Sequence, residues 1–439
     1  MSLSTTASVL SQKPKFSGVH YQWPVNRQYR PFRVRVVEPN SYDPKSHRGI
    51  FETVLSAILA PPLETIAPTV SYQPNWSEVE QFDLLTFPEA FIAAESFINA
   101  LKSMEQFGPC GCIHVGLRPN EEDQQHLFSL QELVSLVQEL SKLSESVSAD
   151  IQRFNNWLSF QKPEHRFNIA CLFTVDAAGS LRVCLHPKIV RSHFEMNVLA
   201  EGHMLEADLL TLVTLHPTNK EHLSITLQPL ICSDALDLRT DIPGANPIKA
   251  VNLHASSFEG HLPDHIDIIT VTTCTPQREY SLNESLQYRE WHEKFQDSFK
   301  ASQEDPNLVR HHFSAFVLSN FKTMPEGGAG GLSGVFLPVA PTDKPFPDDV
   351  VVSCWGTNDP KRNNRWSQPA DDALNKWKTR GFVASLDPFS PPINALVKIF
   401  YFTIQQLPRE KALWTRAQSL TNCKVRVGYL DKSDKLQIL

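Results

Sequence analysis

The chain has 439 residues, of which 41% are hydrophobic and 20% are charged, a composition typical of a globular protein with a large core. The formal net charge of −7 argues against a broad nucleic-acid-binding surface. No apolar run reaches the roughly 18 residues that a membrane span needs, and the first residues lack the features of a signal peptide. We therefore predict a cytoplasmic protein without membrane contacts, whose cysteines are thiols.

The first part of the chain contains short apolar runs separated by polar segments. Residues 1–31 are polar and contain prolines, so we predict an extended N-terminal arm. Alternating residues at 32–37 predict a β-strand, residues 49–59 predict a helix ended by two prolines, and residues 82–87 predict a buried strand. We interpret the arginines near these segments as the solvated face of a strand rather than a track for nucleic-acid phosphates. They are Arg27, Arg30, Arg33 and Arg35.

Residues 119–166 look like a helical insertion. Ser129 and Glu132 have the spacing of a capping box, which marks a helix start. Apolar residues then recur at spacings of three and four up to Leu158, which indicates a helical contact surface. We interpret this surface as a helix pair packed on the body of the domain. The alternative is that residues 129–158 form a seam for a protein partner or a homo-oligomer.

The remaining strands and helices are predicted by the same patterns. They are a helix at 90–104, a strand at 110–117, a strand–turn–strand unit at 167–190, and strands at 204–215, 222–232, 266–274, 313–321, 350–354 and 382–386. Strands that alternate with helices, and strands that follow each other directly, predict a layered α/β fold with sheets packed together and helices outside. Residues 391–439 do not fit this pattern, and we treat them as a C-terminal extension of a domain at 32–390.

Three apolar runs each end at an ionisable residue: Glu89, Lys188 and Cys232. A thiol attacks a carbonyl or nitrile carbon well only as a thiolate or with a base that takes its proton. A carboxylate can be that base, and an ammonium can stabilise the developing oxyanion. Singly, the three have structural explanations: a helix N-terminal carboxylate, a lysine that solvates a strand end, and a buried core cysteine. Together the three side chains are sufficient for this attack if the fold brings them close to one another. Residues at the ends of neighbouring strands in a sheet are well placed for that.

The order of these residues resembles the nitrilase, or carbon–nitrogen hydrolase, superfamily. TFPEAF contains Glu89, HPKIV contains Lys188 and LICSDAL contains Cys232. The segment HFEMNVLAEG contains Glu195 ahead of a glycine, much as the second glutamate of the family does. The resemblance implies that Cys232 is the nucleophile and Glu89 the general base. It also implies that Lys188 stabilises the tetrahedral intermediate and that Glu195 orients the lysine or the water.

The same resemblance implies a fold and an assembly. The fold would be a four-layer αββα sandwich that needs no cofactor, and members of the family usually form homo-oligomers. Two features depart from the family. His186 and Pro187 stand before the lysine, where an aromatic residue or arginine is usual, and residues 119–166 and 237–264 look like insertions. Because the insertions lie where substrate pockets and dimer contacts are usually built, they leave the substrate and the oligomer geometry open.

The hypothesis that follows is a hydrolase of nonpeptide carbon–nitrogen bonds that acts on a small amide, carbamoyl or nitrile substrate through a Cys232 thioester. Amides are expected rather than nitriles, because amidases are more frequent in the superfamily. One alternative is a binding or regulatory protein with the same fold, which contacts a larger assembly through residues 129–158 or the C-terminal extension. Another is acyl transfer, in which an amine replaces water. The histidines at 186, 193 and 203 match no metal-ligand spacing, so no metal site is predicted.

Overall fold

A computed structural model of the chain describes a mixed α/β fold with two large β-sheets and helices packed against them. The described residues are 16–27, 31–59, 82–121, 126–192, 195, 204–235, 246–275, 302, 305–323, 333–337, 382–384, 395–405, 407, 423–431 and 436–438. The predicted strand at 350–354, and the histidines His193 and His203, lie outside the described residues.

A seven-stranded sheet carries the strand that leads to Cys232. In order across the sheet, its strands are β1 (Ser17–Val25), β10 (Leu209–Pro217), β11 (Ile225–Ile231), β12 (Ile268–Thr272), β13 (Ala315–Ser319), β14 (Gly334–Leu337) and β15 (Phe382–Ala384). Strands β11, β12 and β13 run parallel to one another, so their carboxyl ends lie at one edge of the sheet. Cys232 directly follows β11 at this edge.

A nine-stranded sheet carries the strands that lead to Glu89 and Lys188. Its order is β18 (Leu436–Ile438), β17 (Cys423–Asp431), β16 (Ala395–Ile404), β2 (Phe32–Pro39), β3 (Leu84–Thr86), β5 (Cys112–Arg118), β8 (Ile169–Val175) and β9 (Leu181–Pro187), with β4 (Ile92–Ala93) also on β5. β3 and β5 are parallel, and β8 is antiparallel to both β5 and β9. β9 therefore has the direction of β3, and the two residues that follow these strands lie at the same edge.

The two sheets pack face to face around a shared core. β12 lies against β3 and β5, while β11 lies against β8 and β9. One buried apolar cluster contains side chains from both sheets. A hydrogen bond of 3.0 Å between His114 of β5 and Thr270 of β12 joins the sheets. Because these strands are covered on both faces, their sequences are apolar almost without interruption, which is the pattern that predicted them as buried.

The helices cover both sheets. They are α1 (Pro44–Leu59), α2 (Ala94–Met104), α3 (Leu130–Ser141), α4 (Glu145–Leu158) and α5 (Pro247–Leu253). α4 packs on β9 and on α3, α2 packs on β5, and α5 packs on β10. Of the helices described, none is long and apolar enough to cross a membrane.

The helix pair α3–α4 forms the predicted insertion between β5 and β8. The capping box is present, because the Ser129 hydroxyl accepts from the backbone N–H of Glu132 and the Glu132 side chain accepts from the backbone of Ser129. The short strands β6 (Phe128–Ser129) and β7 (Arg166–Phe167) pair where the insertion begins and ends. The apolar stripe, which includes Leu140, Ile151 and Phe154, is buried within this chain's own fold.

Both terminal segments contribute strands to the sheets. β1 lies within the predicted N-terminal arm and pairs in parallel with β10 along its whole length. Residues 391–439 provide β16, β17 and β18, and β16 pairs antiparallel with β2. The segment that we treated as a C-terminal extension is therefore continuous with the nine-stranded sheet.

The interpretation of the arginines as a solvated face was wrong. Arg27, Arg33 and Arg35 are buried. Arg33 and Arg35 are buried because β2 is an inner strand between β3 and β16, whereas Arg27, which follows β1, forms an ion pair of 3.3 Å with Asp83. The guanidinium of Arg35 lies 4.8 Å from the ring centroid of Tyr401 and donates a 3.3 Å hydrogen bond to the carbonyl of Phe402. Arg30 lies outside the described residues.

Candidate active site

Glu89 lies in a tight turn just beyond β3. Its backbone N–H donates to the carbonyl of Thr273, at 3.2 Å, and the next residue, Ala90, has a φ of +48°. The turn sits directly over Gly116 of β5, where a Cβ atom would collide with the backbone of Glu89 and Ala90. Gly116 is therefore required for this close approach, which holds the Glu89 carboxylate at the edge of the sheet.

Lys188 lies just beyond β9 and joins two buried carboxylates. Its Nζ donates to Oε1 of Glu89 at 3.0 Å and also to Oε1 of Glu195. The side-chain amide of Asn168 donates to the same two oxygens, at 2.7 Å for Glu89 and 2.9 Å for Glu195. The second oxygen of Glu195 accepts from the backbone N–H and the hydroxyl of Ser192, both at 2.6 Å. These contacts hold the ammonium in a fixed position between the carboxylates.

The charges of this group follow from burial and from mutual attraction. Burial alone would lower the pKa of Lys188, but Glu195 and Glu89 hold it well above its usual value. Burial alone would raise the pKa of Glu195, but Lys188 and the hydrogen bonds from Ser192 bring it below its usual value. For Glu89, burial prevails over the attraction of Lys188, and the pKa is raised. Glu89 is thus the more basic of the two carboxylates.

Cys232 begins a short 3₁₀ turn at the end of β11 and has a φ of +46°, a region that residues other than glycine rarely adopt. Backbone outliers of this kind cluster at functional sites. Burial, followed by the charge of Glu89, raises the pKa of the thiol to about 12, although Lys188 opposes the shift. The resting group is therefore a neutral thiol, and it needs a base to remove its proton before it can attack a carbon.

One pair of consecutive residues after β12 links the thiol to the carboxylate. The backbone N–H of Cys274 donates to Oε2 of Glu89 at 2.9 Å. The hydroxyl of the next residue, Thr275, lies 2.7 Å from the sulfur of Cys232. Asn320, just beyond β13, accepts from the N–H of Thr275 at 3.2 Å and donates to its carbonyl at 2.9 Å. This clamp fixes the segment that contacts both the Glu89 carboxylate and the thiol.

Asp234 links the turn that contains Cys232 to Lys188. Its carboxylate, two residues after Cys232, accepts from the backbone N–H groups of Ile189 and Val190 at 2.9 and 2.7 Å. Ile189 and Val190 directly follow Lys188. The contacts therefore form a closed ring from Glu89 to Lys188, through Asp234 to Cys232, and back through the segment after β12.

The four residues singled out in the sequence thus occupy one edge of the two sheets. Glu89, Lys188 and Glu195 are in direct contact. Cys232 is joined to them through the ring and through the electrostatic influence of Glu89 and Lys188 on its pKa. His186, by contrast, is turned between the sheets, with its Nε2 3.0 Å from Nε2 of His114. The described part of the chain contains no group of three or more histidine, cysteine or acidic residues placed to hold a metal.

Sequence reasoning missed three polar residues that form or support the ring: Asn168, Thr275 and Asn320. Thr275 and Asn320 each follow the end of an apolar strand, which is the signal that identified Glu89 and Lys188. Asn168 directly precedes the apolar strand β8 and so stands at the beginning of a buried run. Amides and hydroxyls are common at strand ends as turn-forming residues, so this signal does not separate site residues from turn residues.

Comparisons with known proteins found similarity at the level of solved structures. No protein-family model matches the chain, and no curated protein matches it in sequence. A crystal structure of N-terminal amidase with an Asn-Glu-Ala peptide is 10% identical, with a TM-score of 0.36, and the match covers 70% of this chain and 90% of that one. N-terminal amidase without the peptide matches at 9% identity and a TM-score of 0.36 over the same shares. A cysteine-to-serine variant matches at 10% and 0.35, again over 70% and 90%.

Proposed function

We propose that this protein hydrolyses nonpeptide carbon–nitrogen bonds, through a thioester on Cys232, in a four-layer αββα fold of the carbon–nitrogen hydrolase type. The observation that carries the proposal is the closed ring of contacts that joins Glu89, Lys188 and Cys232. A buried ammonium between two carboxylates, beside a thiol in a strained turn, is the set of groups that acyl transfer to sulfur requires.

In the first half of the reaction, Glu89 takes the proton of the Cys232 thiol as the sulfur attacks the carbonyl carbon of the amide. The raised pKa of Glu89 suits it to this role, since a base with a pKa closer to neutrality accepts a proton more readily. The C=O pair moves onto oxygen, and the ammonium of Lys188 stabilises the resulting oxyanion. The C–N bond then breaks, and the amine leaves with the proton that Glu89 received.

In the second half, water enters at the position of the amine. Glu89, again ionised, takes one proton from the water as its oxygen attacks the thioester carbon. Collapse of the second tetrahedral intermediate breaks the C–S bond, and the proton returns to sulfur. The carboxylic acid is released and Cys232 is again a thiol, so no external reductant or cofactor is consumed.

Glu195 and Asn168 position the groups that react. Glu195 accepts from Lys188 and Ser192, and Asn168 donates to both carboxylates. This arrangement leaves Lys188 protonated throughout the cycle and leaves Glu89 as the carboxylate that exchanges protons. An amide suits the site because its reaction develops a single oxyanion within reach of one cation.

The experiment is turnover of a panel of amides, ureas and nitriles by the wild type, by Cys232→Ala and by Cys184→Ala. Cys184 is a buried cysteine of β9 whose pKa burial also raises, so it controls for the loss of a buried thiol. We expect release of amine or ammonia by the wild type and the control variant, none by Cys232→Ala, and an acyl adduct on Cys232 in rapidly quenched samples. We also propose that the protein forms a homo-oligomer, as the resemblance implies, and sedimentation of the wild type measures its size.

Two outcomes would contradict the proposal. Turnover that survives Cys232→Ala, in a variant whose circular dichroism matches the wild type, would exclude the thioester mechanism. A wild-type protein that hydrolyses no member of the panel, and in which iodoacetamide labels Cys232 no faster than a model thiol at any pH, would favour a binding protein.

A further inference from the structure

Arg118 is a buried cation for which the described part of the chain provides no ionic partner. It is the last residue of β5 and is 1% exposed. Its Nη2 donates to the carbonyl of Pro44 at 2.8 Å, but its Nε and Nη1 are buried without an acceptor. Within the described part of the chain, no carboxylate lies at ion-pair distance from it. Two acidic residues act on Arg118 electrostatically, Glu121 and Asp43, but Asp43 accepts from the N–H of Lys45 and Glu121 accepts from Ser96.

An unpaired buried charge is costly, so proteins pair such charges or use them to bind ligands. The donors that remain on Arg118 are N–H groups of a guanidinium, which bind carboxylates strongly. An arginine that served only to hold the Pro44 carbonyl would need one of its five N–H groups. The structure thus offers a cation with vacant donors, which is the complement of an anionic group.

Arg118 belongs to the same edge as the proposed catalytic residues. Leu117 pairs with Ile169 across β5 and β8, so the next step of the register sets Arg118 opposite Asn168. The N–H of Lys188 donates to the carbonyl of Asn168 at 2.8 Å. Arg118, Asn168 and Lys188 therefore lie in one row at the ends of the neighbouring strands β5, β8 and β9.

The side chain of Arg118 leaves the sheet on the side of the catalytic groups. Side chains two residues apart share a face of a strand, and Gly116, two residues earlier, faces the backbone of Glu89. His126 lies near both regions: burial lowers its pKa to about 4, and the charges of Glu195, Lys188 and Arg118 also act on it. Its Nε2 lies 2.7 Å from the hydroxyl of Tyr42, whose ring it stacks upon at 5.4 Å.

We propose that Arg118 binds a carboxylate of the substrate, so that the substrate is an amide with a carboxylate several bonds away from the carbon–nitrogen bond that is cleaved. The inference rests on the proposed function and adds the class of substrate. Neighbouring strands are about 4.8 Å apart, so the backbones of Arg118 and Lys188 are separated by about 10 Å. This separation suits the monoamide of a short dicarboxylic acid, with the amide at Lys188 and the carboxylate at Arg118.

The kinetic test measures amide hydrolysis in two sets of compounds. One set is the monoamides of succinic, glutaric and adipic acid, and the other is the same amides with the carboxylate converted to an uncharged methyl ester. We expect the wild type to prefer at least one monoamide over its ester by tenfold or more in kcat/KM. In Arg118→Met this preference falls by about 10- to 100-fold, mainly through KM, because a charge-assisted contact is lost. Arg118→Lys retains part of the preference, because the charge remains.

Arg48→Met is the matched control, since Arg48 lies on α1 with an exposed side chain paired to Glu52. It should leave the preference intact. A wild type that hydrolyses esters and monoamides equally well would overturn the proposal without any variant. So would an Arg118→Met protein that keeps the full preference.

A binding measurement separates failure of the subsite from failure of the proposed function. Calorimetry with the Cys232→Ala protein should detect the preferred monoamide and not its ester, and Arg118→Met in the same background should abolish the heat. Binding without turnover in the wild type would preserve the subsite and reject the hydrolase. Turnover of amides with no dependence on a carboxylate would preserve the hydrolase and reject the subsite.

Discussion

Replacement of Lys188 by methionine tests the buried charge group directly. Lys188 is 1% exposed, and its partners Glu89 and Glu195 are 3% and 2% exposed. Methionine retains most of the side-chain volume but removes the cation, so two buried carboxylates face each other across the amide of Asn168. Removal of one partner from a buried ion pair costs about 3–5 kcal/mol. Since whole domains are stable by about 5–15 kcal/mol, the variant should be strongly destabilised at neutral pH.

The loss of stability in Lys188→Met should depend on pH. Without the lysine, burial and mutual repulsion raise the folded-state pKa of both carboxylates above their unfolded values. Their contribution to stability is then complete below a pH of about 4 and is lost as the pH rises through the folded values. In the wild type, Glu195 has a lowered pKa, so its contribution is present at neutral pH and lost in acid. The difference between the two proteins should therefore shrink as the pH falls from 8 to 5.

The assay is urea unfolding followed by tryptophan fluorescence at pH 5 and pH 8. Lys142→Met is the control, because Lys142 makes a 2.5 Å ion pair with Glu139 in which the side chains are 68% and 50% exposed. An exposed pair of this kind contributes little to stability, because solvent screens the two charges. Our reasoning is refuted if the free energy of unfolding of Lys188→Met at pH 8 is as high as that of Lys142→Met. It is also refuted if Lys188→Met loses the same free energy of unfolding, relative to the wild type, at both pH values.

Three further predictions concern the surroundings of the thiol. Thr275→Val should slow alkylation of Cys232 by iodoacetamide at pH 8 and shift the pH profile upwards, because the hydroxyl that stabilises the thiolate is lost, whereas Thr275→Ser should retain the wild-type profile. Gly116→Ala should abolish turnover and lower the thermal midpoint, because the new methyl group displaces the Glu89 turn; an unchanged midpoint would contradict the close approach. Burial raises the pKa of Asp234 to about 7, so this carboxyl favours folding below its unfolded pKa and ceases to do so as the pH rises through 7. Asp234→Asn should flatten the dependence of the urea midpoint on pH between 4 and 7, and a dependence equal to that of the wild type would refute this assignment.

The proximity of Glu89, Lys188 and Cys232 could be predicted from the sequence because each residue follows a strongly apolar run. Buried strands of a layered fold place their ends at common edges, so residues at such ends are natural candidates for one site. The capping box at Ser129 was accessible for a similar reason, since it depends only on residues three positions apart.

Other features depended on long-range pairing that no local pattern encodes. β1 was hidden in a proline-containing polar segment, and β16 pairs with a strand at the opposite end of the chain. The burial of Arg35 follows from that pairing and could not be inferred without it. Likewise, Asp234 was visible as a carboxylate beside Cys232, but its bonds to Ile189 and Val190 depend on the packing of two sheets.

The pairing of β16 with β2 also has a consequence for how the protein is made. Arg35 and Phe402, which meet in this pair, are 367 residues apart along the chain. A ribosome must therefore extend the chain from β2 to β16 before β2 acquires its second neighbour in the sheet. Until then its backbone N–H and C=O groups form an open edge, the kind that recruits other chains. Premature termination before residue 395 should accordingly yield insoluble product even though every residue of the ring has been synthesised.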